Sequence, residues 1–377
     1  MRIGFDAKRA YHNSTGLGNY SRTLMSGLMK YYPAHFYFGF NPQKKIQLSF
    51  HQNENYTEVN PSGSIHKLFT NAWRSKWMIS DIEQLNLNLY HGLSNELPSG
   101  IQDSQTKSVV TIHDLIFEHY PHQYKALDVK IYHKKFQQAC INSNHIIAIS
   151  EATKQDIVNQ YAIPESKITV CLQAVNERFS QTFESQQLDS IRKKYNLPAR
   201  YFISVGSIIE RKNLLNVCKA FKQIHNKEIG LVVVGKGSAY KHTIQDYLSE
   251  NGLEHKVLFL EDYFPSDGIN ADLPILYKMA IGLLYPSRME GFGLPILEAY
   301  YAETAVLTSN CSSLEEIGSG AAILIDPDDV EQLSLQMNTL ANDEEFRKYH
   351  IDLGAQKRME FTSKKHVDQV MKVYESL

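Results

Sequence analysis

The sequence has 377 residues, of which 43% are hydrophobic and 21% are charged, and its formal net charge at pH 7 is −2. This length predicts two domains of ordinary size, and the apolar content is enough for a sizeable core. A net charge near zero gives no general attraction to polyanions, so we expect no nucleic-acid partner.

Cysteine usage and the lack of long apolar runs indicate the compartment. The four cysteines lie far apart without a Cys-x-x-Cys pair, which predicts free thiols in a reducing environment, with neither disulfides nor a zinc site. The first residues carry no apolar signal-peptide segment, and no apolar run approaches the length of a bilayer span. We therefore expect a cytoplasmic protein and leave open a peripheral contact with the inner face of the membrane.

The chain begins with a predicted strand, Arg2 to Asp6, followed by a glycine loop and a helical pattern. The loop contains Gly16 and Gly18, but Ser21 stands where the dinucleotide-binding fingerprint would have its third glycine. A strand, a glycine loop and a helix make an arrangement that can bind phosphate. A simple tight turn is the alternative for this loop.

The rest of the first half alternates strands with helices. Strands are predicted at residues 35–40, 88–91, 108–113 and 145–150, and helices at 124–140 and 151–160. This alternation predicts a parallel sheet, in which ligands collect at the carboxyl ends of the strands. His91, His113 and Ser150 lie at such ends, and each also has a structural interpretation. For Ser150 that interpretation is the N-cap of the next helix.

Two polar segments are expected to lie outside the sheet. Residues 54–76 predict a long loop that ends in Trp73-Arg-Ser-Lys-Trp77. This cluster is either an acceptor or membrane-surface patch or a helix that packs two tryptophans with solvated charges between them, and we favour the helix. The polar stretch 176–199 predicts the linker between domains.

The second half restarts the alternation and predicts another doubly wound sheet. Its strands are predicted at 201–207, 231–235, 256–260, 281–285, 305–308 and 322–325. Arg211 and Lys212 follow the first of these strands, beside a helix that Asn213 is predicted to cap. Two cations and a helix N-terminus can offset the charge of a diphosphate without a metal. An exposed basic turn is the alternative. Gly235 ends the next strand at the same edge and is expected to approach the ligand.

Residues 287–300 are the most informative stretch. They read Ser-Arg-Met-Glu-Gly-Phe-Gly-Leu-Pro-Ile-Leu-Glu-Ala-Tyr, which predicts a tight loop followed by a helix with Pro295 in its first turn. The amides around Gly291, Phe292 and Gly293 favour an anion, whereas the carboxylates of Glu290 and Glu298 can accept hydrogen bonds from sugar diols. A nucleotide-sugar has this layout of charge and hydroxyls. The alternative is two solvated glutamates.

One acidic cluster, Asp326-Pro-Asp-Asp329, is read as a turn with a helix N-cap, and no metal site is predicted.

Taken together, these motifs resemble the retaining GT-B glycosyltransferases of glycosyltransferase family 4 nearly from end to end. The most specific of them is Glu290-Gly-Phe-Gly-Leu-Pro-Ile-Leu-Glu298. The other matching segments are Gly16-Leu-Gly-Asn-Tyr20, Thr111-Ile-His-Asp-Leu115, Ile146-Ile-Ala-Ile-Ser-Glu151 and Val205-Gly-Ser-Ile-Ile-Glu-Arg-Lys-Asn213. The chain looks most like bacterial mannosyl- or rhamnosyltransferases that build surface polysaccharide such as lipopolysaccharide.

The resemblance implies an α/β fold with two Rossmann-like domains that face a cleft. Residues 1–178 would form the acceptor-side domain, 196–358 the domain that binds the nucleotide-sugar, and 359–377 a helix that returns to the first domain. The implied reaction transfers a hexosyl group, with retention, from a GDP-, UDP- or dTDP-sugar to a glycan or lipid-linked acceptor. No cofactor is implied.

The same resemblance implies roles for individual residues. Arg211 and Lys212 would hold the diphosphate, Glu290 the hydroxyls of the donor sugar, and Glu298 the ribose diol. His113 would lie near the donor sugar, and Gly16 and Gly18 near the phosphates and acceptor. The remaining substrate-binding positions are Gly235, Gly291, Phe292, Gly293 and Leu294.

Two other functions stay open on the sequence. One is a nucleotide-sugar-binding partner without catalysis, which the presence of both glutamates and both cations disfavours. The other is a doubly wound epimerase or dehydrogenase, which the incomplete dinucleotide fingerprint disfavours.

Overall fold

The computed structural model describes residues 1–43, 48–237, 239–260 and 271–377. The chain divides into two compact units, one formed by Met1–Ala174 with Thr362–Leu377 and the other by Val175–Phe361. Each unit is built around one sheet whose strand pairs are all parallel in the described ranges, which confirms the predicted pair of doubly wound sheets.

In the described part of the first unit, seven parallel strands are ordered β3-β2-β1-β4-β5-β6-β7. The strands are β1 (Arg2–Asp6), β2 (Phe36–Phe40), β3 (Tyr56–Val59), β4 (Leu89–Gly92), β5 (Lys107–Ile112), β6 (His145–Ala148) and β7 (Ile168–Val170). The helices are α1 (Lys8–His12), α2 (Gly16–Tyr31), α3 (Ser64–Leu68), α4 (Thr70–Ala72), α5 (Met78–Gln84), α6 (Ile116–His119), α7 (Ala126–Asn142), α8 (Glu151–Tyr161) and, at the carboxyl end of the chain, α17 (Ser363–Glu375).

Helices cover both faces of this sheet. On one face, α7 and α8 pack on alternate residues of β5 and β6, such as Val110 and Ile146. On the other face, α17 lies against α2, where a Cβ on Gly27 would come within 2.6 Å of Val367. A hydrogen bond of 2.6 Å between the Tyr374 hydroxyl and His91 Nδ1 ties α17 to β4. The last helix therefore belongs to the core of the first unit.

In the described part of the second unit, six parallel strands are ordered β10-β9-β8-β11-β12-β13. The strands are β8 (Arg200–Val205), β9 (Ile229–Val234), β10 (Val257–Phe259), β11 (Gly282–Tyr285), β12 (Ala305–Ser309) and β13 (Ile323–Ile325). The helices are α9 (Ser185–Tyr195), α10 (Leu214–Lys222), α11 (Ala239–Glu250), α12 (Leu273–Lys278), α13 (Leu294–Tyr301), α14 (Ser312–Gly318), α15 (Val330–Asn342) and α16 (Glu344–Lys357).

The central strands of the second sheet are buried on both sides. Every residue of β9, with the sequence Ile-Gly-Leu-Val-Val-Val, is buried, and so is every residue of β11. Such continuous apolar runs are typical of parallel strands between two layers of helices. Because β8 is paired with β11, the loops that follow these two strands emerge side by side at the carboxyl edge.

The prediction of a long loop over residues 54–76 was wrong. This segment contains β3, α3, α4 and a π-helical turn, Trp73–Trp77. β3 adds to the outer edge of β2, where Tyr37 pairs with Tyr56, and none of its four residues is fully buried. A short edge strand of this kind has little hydrophobic alternation, so its sequence signal is weak.

The Trp73–Trp77 cluster is helical, as favoured, but one of its charges is not solvated. Trp73 is fully buried, and its indole N–H donates to Asp81 Oδ2 at 2.7 Å. Arg74 forms ion pairs with Asp6 and, at 2.7 Å, with Glu96. The contacts of Trp73 and Arg74 therefore favour the packed helix over the alternative, an acceptor or membrane-surface patch.

Three smaller predictions concern caps and cysteines. Ser150 accepts a hydrogen bond from the Thr153 amide at 3.1 Å, and Asp329 accepts one from the Gln332 amide at 2.8 Å, which confirms both as helix N-caps. All four cysteines are free thiols, as predicted.

We predict that Gly18→Ala destabilises the first unit. A Cβ at Gly18 would lie 1.7 Å from the carbonyl oxygen of Asn13, so the start of α2 would have to move. We expect a loss of about 2 kcal/mol, or a melting temperature lower by roughly 4–8 °C. Differential scanning calorimetry measures this change. In the control, Gly63→Ala, the new Cβ would make only ordinary contacts at 3.7 Å with His66. Equal melting temperatures for the two variants would contradict the prediction.

Candidate functional site

The first loop of the site connects β8 to α10. It passes through Gly206, whose φ of +136° suits glycine, and forms one 3₁₀ turn at Glu210–Lys212. The predicted cap at Asn213 is wrong. Asn213 has a φ of +63°, and its side-chain amide donates to the Pro327 carbonyl at 2.5 Å, so it does not cap α10. The left-handed turn at Asn213 brings the chain from the two cations directly into the helix.

The second loop connects β11 to α13. Glu290 lies on the loop, Gly293 turns the chain with a φ of +107°, and Pro295 sits in the first turn of the helix, as predicted. A Cβ on Gly293 would lie 2.9 Å from Leu314, so both its φ and its surroundings require glycine.

Glu290 joins the two loops. Its Oε1 atom lies 3.0 Å from Nη1 of Arg211 and 2.5 Å from Nζ of Lys212. The side chains of Glu290 and Arg211 are 10% and 9% exposed, and that of Lys212 is 17% exposed. Two cations and one carboxylate leave this cluster with one net positive charge, which favours a further anion.

Tyr285, the last residue of β11, lies beneath the cluster. Lys212 Nζ donates a hydrogen bond of 2.5 Å to the Tyr285 hydroxyl, and the ammonium lies 4.7 Å from the centre of the ring. Arg211 is held separately, because its guanidinium donates to the Met289 carbonyl oxygen. Each cation therefore has a fixed direction before any ligand binds.

The charge state of Glu290 follows from these neighbours. Burial on its own would raise the pKa of Glu290, but the positive charges of Lys212 and Arg211 and the hydrogen bonds outweigh it and lower the pKa below its ordinary value. Glu290 is therefore ionised at neutral pH.

Glu298, on α13, has the opposite character. Burial raises the pKa of Glu298, although a hydrogen bond from Tyr277 and the charge of Arg178 act against this effect. The Tyr277 hydroxyl donates to Oε2 of Glu298 at 2.9 Å and fixes one side of the carboxylate. The two glutamates of the motif thus differ in their surroundings: one faces cations and the other faces a tyrosine.

Small polar residues at the end of β12 and directly after it hold the Glu290 loop. The Ser309 hydroxyl donates to the Ser287 carbonyl at 2.7 Å, and the Ser313 hydroxyl donates to the Glu290 carbonyl at 2.8 Å. The Glu290 amide in turn donates to Ser312 Oγ at 3.3 Å. Reasoning from the sequence missed these residues, although a polar run directly after a buried strand at the same sheet edge was a usable signal.

Gly235 contacts the site through Gly206. A Cβ on Gly235 would lie 1.8 Å from the Gly206 carbonyl oxygen, and a Cβ on Gly206 would lie 3.5 Å from Cε of Lys212. The ends of β8 and β9 therefore approach so closely that only glycine fits at position 235. This packing alone is enough to explain why position 235 is a glycine.

The other predicted positions on the second loop differ in accessibility. Gly291, Phe292 and Gly293 are buried, and Leu294 is partly buried. The Phe292 ring packs edge-on against Phe361 at 6.2 Å, so its side chain belongs to the core. Only the backbone of Phe292 is suited to a ligand.

The predicted residues of the first unit form a separate group. His113 follows β5, and its Nε2 donates to the Leu93 carbonyl at 2.9 Å, which leaves Nδ1 as an acceptor. Burial lowers the pKa of His113 to about 4, so the ring is neutral at pH 7. Tyr20 packs edge-on against it at 4.7 Å and connects it to α2, the helix that carries Gly16 and Gly18.

Gly16 and Gly18 have different surroundings in α2. Gly16 is the exposed first residue of the helix, whereas Gly18 is buried and its amide donates to Asn13 Oδ1 at 3.0 Å. The site predicted from the sequence thus falls into one group of residues in each unit.

Both halves of the chain match glycosyltransferase families. Residues 44–178 match the family described as Glycosyltransferase Family 4, and residues 187–357 match Glycosyl transferases group 1. The chain thus carries a Glycosyltransferase Family 4 domain and a Glycosyl transferases group 1 domain.

Relatives with a stated activity are glycosyltransferases. The chain is 24% identical over 307 residues to O-antigen chain mannosyltransferase B of Escherichia coli, covering 81% of this chain and 77% of that protein. It is 28% identical to O-antigen chain mannosyltransferase RfbU of Salmonella typhimurium, over 58% of this chain and 57% of that protein. The chain is accordingly a glycosyltransferase.

The fold has solved counterparts. The structure of Anabaena HepE in complex with UDP-glucose superposes with a TM-score of 0.72 at 14% identity, and the match covers 100% of each chain. The glycosyltransferase thus has the GT-B fold. In the residues that the structure describes, none of its helices has both the length and the hydropathy needed to cross a membrane.

We predict that the two glutamates of this glycosyltransferase respond oppositely to neutralisation. The folded pKa of Glu290 lies below its unfolded value, so its ionised form stabilises the fold at neutral pH, and this contribution is lost as the pH falls through the folded pKa. Glu290→Gln should lower stability at pH 7 by on the order of 3 kcal/mol, because it leaves two buried cations without their counter-charge.

Glu298→Gln is the matched control. Because its folded pKa is raised, ionisation of Glu298 at neutral pH opposes folding, so the amide should not lower the melting temperature at pH 7. The deficit of Glu290→Gln should shrink as the pH falls below about 4.3, where the carboxylate of the unfolded wild-type chain begins to bind a proton, and should go on shrinking down through the lower folded pKa. Thermal melts between neutral and acid pH measure both effects. An equal decrease in melting temperature for the two variants at pH 7 would exclude this account.

Proposed function

We propose that the chain transfers a hexosyl group, with mannose as the first candidate, from a nucleotide diphosphate sugar to a glycan or lipid-linked acceptor. The transfer retains the anomeric configuration and serves the synthesis of a bacterial surface polysaccharide. The acceptor's lipid would bring the enzyme into peripheral contact with the inner face of the membrane.

The observation that carries this proposal is the contact of one carboxylate with two fixed cations. Glu290 Oε1 pairs with both Arg211 and Lys212, at 3.0 and 2.5 Å, and leaves one positive charge uncompensated within the three residues. A diphosphate carries enough charge to pair with both cations, and its arrival would release the carboxylate toward the hydroxyls of the attached sugar. The site then exchanges one anion for another, and no metal is needed to hold the phosphates.

The other candidate residues fit around this centre. Glu298, already oriented by Tyr277, is suited to accept hydrogen bonds from the ribose diol. The backbone at Gly291 to Leu294 leads into the N-terminus of α13, which favours the phosphates. Gly235 would contribute through its backbone.

The residues of the first unit would serve the sugar and the acceptor. Neutral His113, with Nδ1 as acceptor, would receive a hydrogen bond from a donor-sugar hydroxyl. Gly16 and Gly18 would lie near the phosphates and the acceptor.

The main catalytic effect would be electrostatic. Arg211 and Lys212 would stabilise the charge that develops on the departing diphosphate. Glu290 is a weak candidate for a nucleophile because two cations hold its charge. We therefore favour a front-side reaction in which the acceptor oxygen attacks on the face that the diphosphate leaves, and a phosphate oxygen takes the acceptor proton.

The comparisons support the choice of substrates to test. Two similar proteins are named as O-antigen chain mannosyltransferases, and one structure of the same fold is a complex with UDP-glucose. Mannose is carried on GDP, so GDP-mannose is the first donor to examine, with UDP-glucose and a dTDP-hexose beside it.

We predict that one nucleotide-sugar in such a panel raises the melting temperature clearly above the others. At a hundredfold excess over its dissociation constant, a ligand that binds only the folded protein adds about 2.7 kcal/mol. GDP-mannose should give this shift, and GDP alone a smaller one. If no member of the panel shifts the melting curve, the proposal of a nucleotide-sugar donor fails.

A second prediction concerns catalysis itself. Lys212→Ala should lower turnover with the best donor by about 2–4 kcal/mol of transition-state stabilisation, or roughly 30- to 1000-fold. Lys222→Ala is the matched control, because Lys222 lies at the exposed end of α10 and donates to Asn251. Initial rates of nucleotide release with acceptor present measure the difference. Equal rates for the two variants would remove Lys212 from the mechanism.

A further inference from the structure

The connection from β4 to β5 crosses one face of the first sheet without an α-helix. The structure describes all of residues 93–106, and their only helical element is one 3₁₀ turn. On this face, the Trp73–Trp77 turn and α5 share a core with Tyr90 of β4, and α7 shares one with Val110 of β5. Tyr90 pairs with Ser108, two residues before Val110, so the two side chains point to the same side. The layer over β4 therefore lacks a helix between its neighbours.

A cavity lies in this place, and we call it the Arg74 cavity. Arg74 and Ser75 line one side of it, and Gln138 and Asn142 of α7 line the other. Leu97, from the β4–β5 connection, also lines it and packs against the cores on both sides. Because Ser75 and Gln138 are exposed, the cavity opens to solvent at its rim.

A chain of ion pairs forms the polar wall of the Arg74 cavity. The Arg74 guanidinium donates to Asp6 through Nε at 2.9 Å and to Glu96 through Nη1 at 2.7 Å. Glu96 Oε1 also accepts a hydrogen bond from Lys135 Nζ at 3.3 Å. All four side chains line the cavity. Their formal charges, from two carboxylates and two cations, cancel, so this wall favours neither an anion nor a cation.

These ion pairs orient the charged groups without using all of their hydrogen-bonding capacity. A guanidinium and an ammonium have more N–H groups than these contacts use, and each carboxylate oxygen has a further lone pair. The Glu96 side chain is 26% exposed. Burial alone would raise the pKa of Glu96, but the charges of Arg74 and Lys135 outweigh it and lower the pKa. Glu96 is therefore an oriented, ionised acceptor that a ligand can reach.

The remaining lining of the Arg74 cavity is partly apolar. It includes Tyr90, Leu97, Pro98 and Ala139. Tyr90 belongs to the core under the Trp73–Trp77 turn, and Ala139 belongs to the core under α7. An apolar wall beside a few oriented polar groups is typical of sites for small organic ligands.

We propose that the Arg74 cavity binds a pyranose unit of a neutral glycan. Glu96 would accept hydrogen bonds from the hydroxyls, Arg74 and Lys135 would donate to them, and the amides of Gln138 and Asn142 would do both. The C–H face of the sugar ring would lie against the apolar wall. A neutral polar ligand with one apolar face matches a cavity whose charges cancel.

The inference rests on the proposed function, because the glycan would be the acceptor chain. Asn144, directly beyond α7, accepts a hydrogen bond from the Ser108 amide at 2.8 Å, near the start of β5. His113 follows the opposite end of this strand. The α7 side of the cavity thus lies toward the amino end of β5. This position suits a sugar of the chain other than the one whose hydroxyl reacts.

Intrinsic tryptophan fluorescence provides a local test of binding. The chain has two tryptophans, Trp73 and Trp77, and they flank Arg74 and Ser75 in one wall of the cavity. Titration of the full chain with mannotriose should change the emission until it saturates, and isothermal titration calorimetry should give the same dissociation constant. Inorganic phosphate should produce no saturable change, because the charges of the wall cancel.

A pair of amide variants locates the binding. Gln138→Ala with Asn142→Ala should weaken the affinity for mannotriose about 25-fold, since each lost hydrogen bond contributes about fivefold. The matched control is Asn159→Ala with Gln160→Ala, which removes the same two side-chain types from exposed positions of α8. The control should bind mannotriose like the wild type. Alanine is favourable in helices, so we expect both variants to fold, and circular dichroism verifies this.

Three results would overturn the proposal. They are the lack of saturation with mannotriose in both fluorescence and calorimetry, equal affinities of the two variants, and a saturable response to phosphate that competes with mannotriose. The titration contains no nucleotide-sugar, so its failure leaves the donor panel unaffected. Failure of that panel equally leaves the mannotriose result standing.

Discussion

The contact of Glu290 with Arg211 and Lys212 is the interaction on which the candidate donor site depends. Two cations that are adjacent in sequence and largely buried need a counter-charge, and Glu290 supplies it from the neighbouring loop. Leaving either cation unpaired would be costly, so the ion pairs hold the β8–α10 and β11–α13 loops in one relative geometry. The same cations are already partly desolvated and oriented, which reduces the reorganisation required when an anionic ligand replaces the carboxylate.

Rigid surroundings give the two glutamates of one short motif different chemistry. Glu290 faces two cations, and its loop is fixed by hydroxyls at the end of β12 and directly after it, such as that of Ser313, which donates to the Glu290 carbonyl. Glu298 is on a helix and faces the hydroxyl of Tyr277. Their pKa values accordingly shift in opposite directions. A readily ionised carboxyl and a less readily ionised one are therefore specified by position within the sheet edge, although the residue type is the same.

Much of the architecture could be predicted from the sequence because its signals are local. Apolar runs such as β9 and the glycine-rich turn before α13 have strong patterns, and the rule that ligands gather at carboxyl ends of strands directed attention to Arg211 and Glu290. The rest depends on long-range pairing. The adjacency of β8 and β11 brings the two loops to ion-pair distance, and no local pattern encodes it. The left-handed Asn213 and the edge strand β3 were missed for a related reason, because distant partners, the Pro327 carbonyl and β2, stabilise them.

The protonation state of His113 bears on where the acceptor's proton goes. Its Nε2 proton is committed to the Leu93 carbonyl, and its pKa of about 4 keeps the ring neutral at pH 7. A histidine in this state can accept a hydrogen bond at Nδ1, but so low a pKa makes it a weak general base. Glu290, with its pKa lowered by two cations, is a weak base as well. The departing phosphate gains negative charge as the glycosidic bond breaks, so its basicity rises at the moment when the acceptor hydroxyl must lose its proton. The electrostatics of this chain thus favour the diphosphate as the base of the transfer that we propose.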